Sequence, residues 1–150
     1  RPLSMDRLDA SLAQARAAAP GYELWLEPGR YVVAEAGVLL ATVTQLKGKG
    51  EVQYVGVSTG MNSLIRPALY GAYHEIVNLT RLDEAADQIV TVVGPNCETG
   101  DRLGSDRLLP TCREGDVLLI ATAGAYGLVM SSRYNLREPA LEKVLPPLGR

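Results

Sequence analysis

Residues 38–59, "VLLATVTQLKGKGEVQYVGVST", decide the fold class. Two runs rich in β-branched residues flank Gly48, Lys49 and Gly50, and a short glycine-containing break between such runs is a hairpin signal. Toward the C-terminus, "YHEIVNL" (73–79), "QIVTVVG" (88–94) and "DVLLIATA" (116–123) have the same character, separated by Pro, Gly, Asn and Asp. Residues 38–124 therefore predict an antiparallel β-domain, either a barrel or a sandwich. Toward the N-terminus the pattern changes. "SMDRLDASLAQARAAA" (4–19) places Leu8, Leu12 and Ala15 at helical spacing after a possible Ser4 or Asp6 cap, and Pro20-Gly21 ends it. "YELWLEPGR" (22–30) then predicts a strand running into a Pro-Gly turn. One helix followed by one strand is the unit that repeats in an α/β barrel or a doubly wound sheet. A single unit closes no sheet, so these first thirty residues should expose an apolar face, and a domain boundary falls after Gly37.

At 150 residues and 47% hydrophobic, the chain has material for one core. A net charge of -2 with dispersed basic residues provides no footprint for nucleic acid. Its apolar runs, such as "DVLLIATAGAYGLVM" (116–130), are too short and too interrupted to cross a membrane. The chain reads as cytoplasmic, with Cys97 and Cys112 as reduced thiols rather than a disulfide.

Four short stretches carry chemistry, and each also has an ordinary explanation. "LEPGR" puts Glu27, Gly29 and Arg30 at a strand end, where a guanidinium can fork onto an anion, or where a turn simply carries a surface ion pair. "IRPALY" spaces Arg66 and Tyr70 four apart around Pro67, so one turn of helix would present both on one face. The plain alternative is a solvated arginine beside a packed tyrosine. "GAYG" (124–127) leaves the Tyr126 phenol between glycines that let a backbone approach a ligand, or marks a turn with a core aromatic. "GPNCETGD" (94–101) sets Cys97 beside Glu98 and Asp101 in a glycine-containing loop. Neighbouring carboxylates disfavour a thiolate, which suits a proton donor better than a nucleophile. His74, the only histidine, forms no ligand set with Cys112, so no metal site is expected.

"EPGR", "IRPALY", "GPNCETGD" and "GAYG", in this order, resemble the C-terminal part of the diaminopimelate decarboxylases, pyridoxal-phosphate enzymes of the alanine-racemase-like fold type. The likeness covers residues 22 to about 140. It implies a mainly β chain: residues 1–37 as the last helix–strand unit of a TIM-type α/β barrel, and residues 38–150 as the C-terminal β-domain. It further implies conversion of meso-2,6-diaminopimelate to L-lysine and carbon dioxide by a homodimer with shared active sites. Carried over residue by residue, Glu27 would meet the cofactor's pyridine nitrogen, while Gly29, Arg30 and Tyr126 would bind the cofactor. Arg30, Arg66, Tyr70, Glu98 and Tyr126 would bind substrate. Cys97 would donate a proton in the opposite subunit's site.

Two departures stand out. The family's usual Ser is Thr99 here. The covalent lysine belongs to the family's N-terminal barrel, and none of Lys47, Lys49 or Lys143 sits in a comparable motif, so the chain by itself should be inactive. Arg66 and Glu98 together match a distal carboxylate and a distal ammonium, which favours diaminopimelate. A decarboxylase of another basic amino acid or polyamine precursor (ornithine or arginine type), or a catalytically dead regulatory homologue, are the alternatives. Retention of Glu27, Cys97 and Tyr126 argues against the last.

Overall fold

The computed structural model describes residues 3–49 and 52–146. Helix α1 spans Met5–Ala18, and the Ser4 hydroxyl caps it by accepting from the Arg7 N–H. No residue of α1 is buried. The strand expected at 22–27 is not formed: residues 23–28 have no regular structure, and Gly29–Val32 make a 3-10 turn instead. A strand is defined by hydrogen bonds to its neighbours, and among the described residues no strand pairs with this stretch. Trp25 and Tyr22 remain 86% and 85% exposed, as an unpartnered apolar segment should.

The rest is one six-stranded sheet in the order β3-β6-β1-β2-β4-β5. Its strands are β1 (Leu39–Lys49), β2 (Val52–Val57), β3 (Ile76–Asn78), β4 (Gln88–Val93), β5 (Arg102–Leu109) and β6 (Val117–Ile120). The sheet curls into a nearly closed barrel, with the end strands meeting where Ile76 Cδ1 lies against Gly104. This resolves the barrel-or-sandwich alternative. Alternation explains the register: Leu39, Ala41 and Val43 point into the core while Leu40, Thr42 and Thr44 face out. Val55, Val57, Val90, Val92, Leu118 and Ile120 complete the interior.

The expected hairpin is formed, but Gly48 and Lys49 of its expected turn belong to β1, paired with Gln53 and Val52, and Gly50 lies outside the described residues. Two further features depart from the sequence pattern. Strand β2 pairs with β4 in parallel, so the barrel is not wholly antiparallel. Strand β5 was not expected, because "RLGSDRLL" carries charge, Gly and Ser where a strand signal should be apolar. A bulge accommodates them: Val90 pairs with Arg107 but Val92 with Gly104, and Asp106 takes a positive φ of 53°.

A buried polar cluster fastens β3 to β6. The Asp116 carboxylate accepts from Arg81 Nε at 2.7 Å, Asn78 Nδ2 at 2.9 Å and the Arg113 N–H at 2.9 Å. Burial pushes this carboxyl up, but the Arg81, Asn78 and Arg113 donors overcome it and hold the pKa at about 2. A folded pKa below the unfolded value stabilises above the unfolded pKa and is lost as pH falls through the folded one. Wild type should therefore exceed Asp116→Asn in stability by on the order of 2 kcal/mol at neutral pH. Denaturant unfolding should show that gap closing between about pH 4 and pH 2, and a gap independent of pH would refute the ion-pair account.

Candidate functional site

The short helix α2, Arg66–Tyr70, forms because Pro67 is pre-set for a first helical turn and Gly71, at φ 60°, closes it. Its spacing brings the expected pair together. The Arg66 guanidinium carbon lies 5.8 Å from the Tyr70 ring centre and 5.9 Å from that of Tyr126, which arrives from the loop after β6. Arg66, Tyr70 and Arg30 line one open pocket of about 700 Å³, together with Glu35, His74 and Thr122. Two guanidiniums and two phenols thus gather at one end of the barrel, a donor set suited to carboxylate or phosphate oxygens.

His74 forms part of the pocket wall as a neutral ring. Burial lowers its pKa, with the Arg66 and Arg107 charges adding to that effect against the Ala121 carbonyl. Nδ1 lies 2.9 Å from that carbonyl and so carries the hydrogen.

Tyr126 sits at φ 57°, an uncommon conformation for a bulky residue. The glycines before it serve a different purpose from the one expected. A Cβ on Gly37 would fall 2.6 Å from Gly124 Cα, and one on Gly124 would strike the Val33 carbonyl. The close approach is therefore backbone to backbone: Ala123 N–H donates to Gly37 O at 2.8 Å and Gly124 N–H to Ala34 O at 3.0 Å. These bonds dock residues 29–37, including Arg30, onto the barrel. Glu27 is exposed in the irregular stretch before Gly29, which has φ 58°.

Cys97 is exposed, whereas Cys112 is buried and unbonded to it. The loop 94–101 runs beside α2 but outside the Arg30–Arg66 pocket, with Thr99 and Gly100 near Pro67 and Ala68. Glu98 Oε2 accepts from the Tyr134 hydroxyl at 3.4 Å. Asp101 corrects the sequence reading. Rather than attending the thiol, it is 2% exposed and accepts from the Met61 N–H at 2.6 Å and the Asn96 N–H at 2.7 Å. Gly60 and Gly94 leave room for it, since a Cβ on either would collide with its carboxylate oxygens. Asn62 extends the clamp, accepting from Asn96 Nδ2 at 3.3 Å and donating to the Glu138 carbonyl at 3.2 Å. Asn62 and Tyr134 were not apparent from the sequence, because nothing local marks them.

None of the chain's three lysines lines the Arg30–Arg66 pocket. Lys47 and Lys49 border a groove on the β1–β2 hairpin, and Lys143 lies along the C-terminal segment.

Comparison with known proteins gives a consistent result. Residues 30–124 match the family model described as the C-terminal sheet domain of pyridoxal-dependent decarboxylases. The chain is 48% identical over 120 residues to a diaminopimelate decarboxylase of Archaeoglobus fulgidus and 51% identical over 120 residues to one of Neisseria meningitidis serogroup B. Each alignment covers 80% of this chain but only 28% of the relative, so the chain spans less than a third of those proteins' length. A crystal structure of diaminopimelate decarboxylase from M. jannaschii in complex with L-lysine superimposes with a TM-score of 0.78 at 37% identity. That superposition covers 89% of this chain and 30% of the other.

Proposed function

We propose, from the premise that the chain belongs to the pyridoxal-dependent decarboxylases through their C-terminal sheet domain, that it is the C-terminal part of a cytoplasmic diaminopimelate decarboxylase. The longer protein would convert meso-2,6-diaminopimelate to L-lysine and carbon dioxide. The single observation that carries this reading is Arg66 held between Tyr70 and Tyr126 in a pocket shared with Arg30. A substrate with carboxylates at both ends needs two such cations, whereas an ornithine-type chain would leave Arg66 facing a like charge. We take residues 1–37 as the end of an α/β barrel and residues 38–150 as the β-domain.

The donor set fits the cofactor's anionic groups, and the covalent lysine would come from a part of the protein outside this chain, leaving the chain inactive alone. When bound, pyridoxal phosphate supplies the electron sink that permits loss of carbon dioxide. Glu27 would keep a proton at its pyridine nitrogen. Gly29, Arg30 and Tyr126 would hold its phosphate, with Arg30 and Tyr126 also within the substrate's reach. Arg66, beside Tyr70, would fork onto the distal carboxylate, and Glu98 would accept from the distal ammonium. Cys97 would deliver a proton to the α-carbon after carbon dioxide leaves, acting in the partner subunit's site. Its exposure and its position outside the Arg30–Arg66 pocket support that arrangement.

Mixed dimers test it. A full-length Cys97→Ala variant and a variant lacking the covalent lysine, refolded together in equal amounts, should regain about a quarter of wild-type activity on diaminopimelate. Random pairing makes half the dimers mixed, and each holds one complete site of two. Activity that stays at the level of the separate variants, with mixed dimers confirmed by native mass spectrometry, would remove the shared site.

A further inference from the structure

The bulge in β5 has a second consequence, in a groove that adjoins the Arg66 pocket across Ala72 and Tyr73. It turns Arg107 back across Gly104, so that its guanidinium carbon sits 3.9 Å over the Tyr73 ring. There Arg107 Nε is buried with no hydrogen-bond partner, and among the described residues no carboxylate forms an ion pair with Arg107 or Arg102. Both arginines line an open groove of about 540 Å³ with Thr99, Ser105 and the Ala68 face of α2. That lining contains no Asp or Glu, in a chain whose net charge is -2. The Glu75 carboxylate bonds the Tyr73 hydroxyl rather than Arg107, so the half-buried guanidinium has no direct ionic partner and leaves room for one supplied from outside.

We propose that this groove receives an aspartate or glutamate side chain from a second copy of the protein, making Arg107 an anchor of the dimer. The inference rests on the homodimer reading above, because the groove is continuous with the loop that carries Cys97 toward the neighbouring site: Thr99 and Gly100 form part of its wall. The surroundings have the composition of an interface centre rather than of a small-anion pocket. Tyr73 is 64% exposed although it is stacked on an arginine, and Leu69 of α2 is 55% exposed. Tyr and Arg are the side chains enriched where subunits meet, and a stacked guanidinium is pre-organised for a planar carboxylate.

The test is the dimer dissociation constant of the full-length protein, measured by sedimentation velocity across salt concentrations. Arg107→Gln should raise it about 10- to 100-fold and flatten its rise with salt, whereas Arg107→Lys should keep most of the affinity. Should Arg107→Gln fail to fold, Arg102→Gln carries the test at an exposed side chain and should weaken the dimer roughly threefold or more. An Arg107→Gln or Arg102→Gln dimer as tight and as salt-sensitive as wild type would overturn the inference while leaving the dimer itself standing. Inorganic phosphate that raises the wild-type melting temperature through Arg107, with dimer affinity unchanged in Arg107→Gln, would assign the groove to a free anion instead. A wild-type protein that is monomeric at all concentrations would remove the dimer reading and this inference together.

Discussion

Replacing Arg66 with alanine in the full-length protein should lower kcat/KM for diaminopimelate by about 30- to 1000-fold, or roughly 2 to 4 kcal/mol. The loss follows from what surrounds the guanidinium. It is half-buried between two phenol rings, so water replaces it poorly as a partner for the distal carboxylate. Binding of the product, lysine, should weaken in parallel, because the carboxyl that leaves is the one at the reacting carbon and the product keeps the distal carboxylate. Steady-state kinetics with diaminopimelate, paired with inhibition by lysine, measure both losses. An unchanged specificity constant would make Arg66 a packing residue and remove the pocket assignment.

Asp101→Ala should cost about 3 to 5 kcal/mol of stability, because the Met61 and Asn96 N–H groups lose a charged acceptor that water has little room to replace. The glycines that admit the carboxylate would also be left lining a void. Asp101→Asn retains one acceptor oxygen but turns an amide donor toward the other N–H, and should lose roughly half as much. Activity should fall with stability, since the same two bonds fix the loop that carries Cys97 and Glu98. Urea unfolding of the three proteins measures this; equal midpoints for wild type and Asp101→Ala would show that the clamp is not structural.

Local chemistry made some of this architecture legible and hid the rest. The β1–β2 hairpin was readable because two runs rich in β-branched residues lie on either side of a short glycine-containing break. The pairing of β2 with β4 was not, since the two strands are separated by α2 and β3 and no local signal names a partner. Strand β5 was concealed by the polar residues of its own bulge. The stretch 22–27 has strand composition but takes no strand conformation, because pairing depends on neighbours that composition does not provide.

The site divides in the same way. Arg66 and Tyr70 could be paired from spacing alone, as four residues bring them to one helix face. Asp101 could be recognised as a carboxylate in the cysteine loop, but its orientation is set by Met61, forty residues earlier in the chain. The two glycines before and after Tyr126 signalled a close approach. What Gly124 approaches, the backbone of residues 33–37, emerges only from the fold.

The most direct test of the central claim is decarboxylation by the full-length protein, supplied with pyridoxal phosphate and offered meso-2,6-diaminopimelate, L-ornithine, L-arginine and L-lysine in parallel. L-Lysine and carbon dioxide should form from diaminopimelate with a kcat/KM about 100-fold or more above that for any competitor, the discrimination expected when a half-buried cation must be paired. Preference for ornithine, arginine or lysine, or no release of carbon dioxide from any of the four with the cofactor bound, would contradict the account.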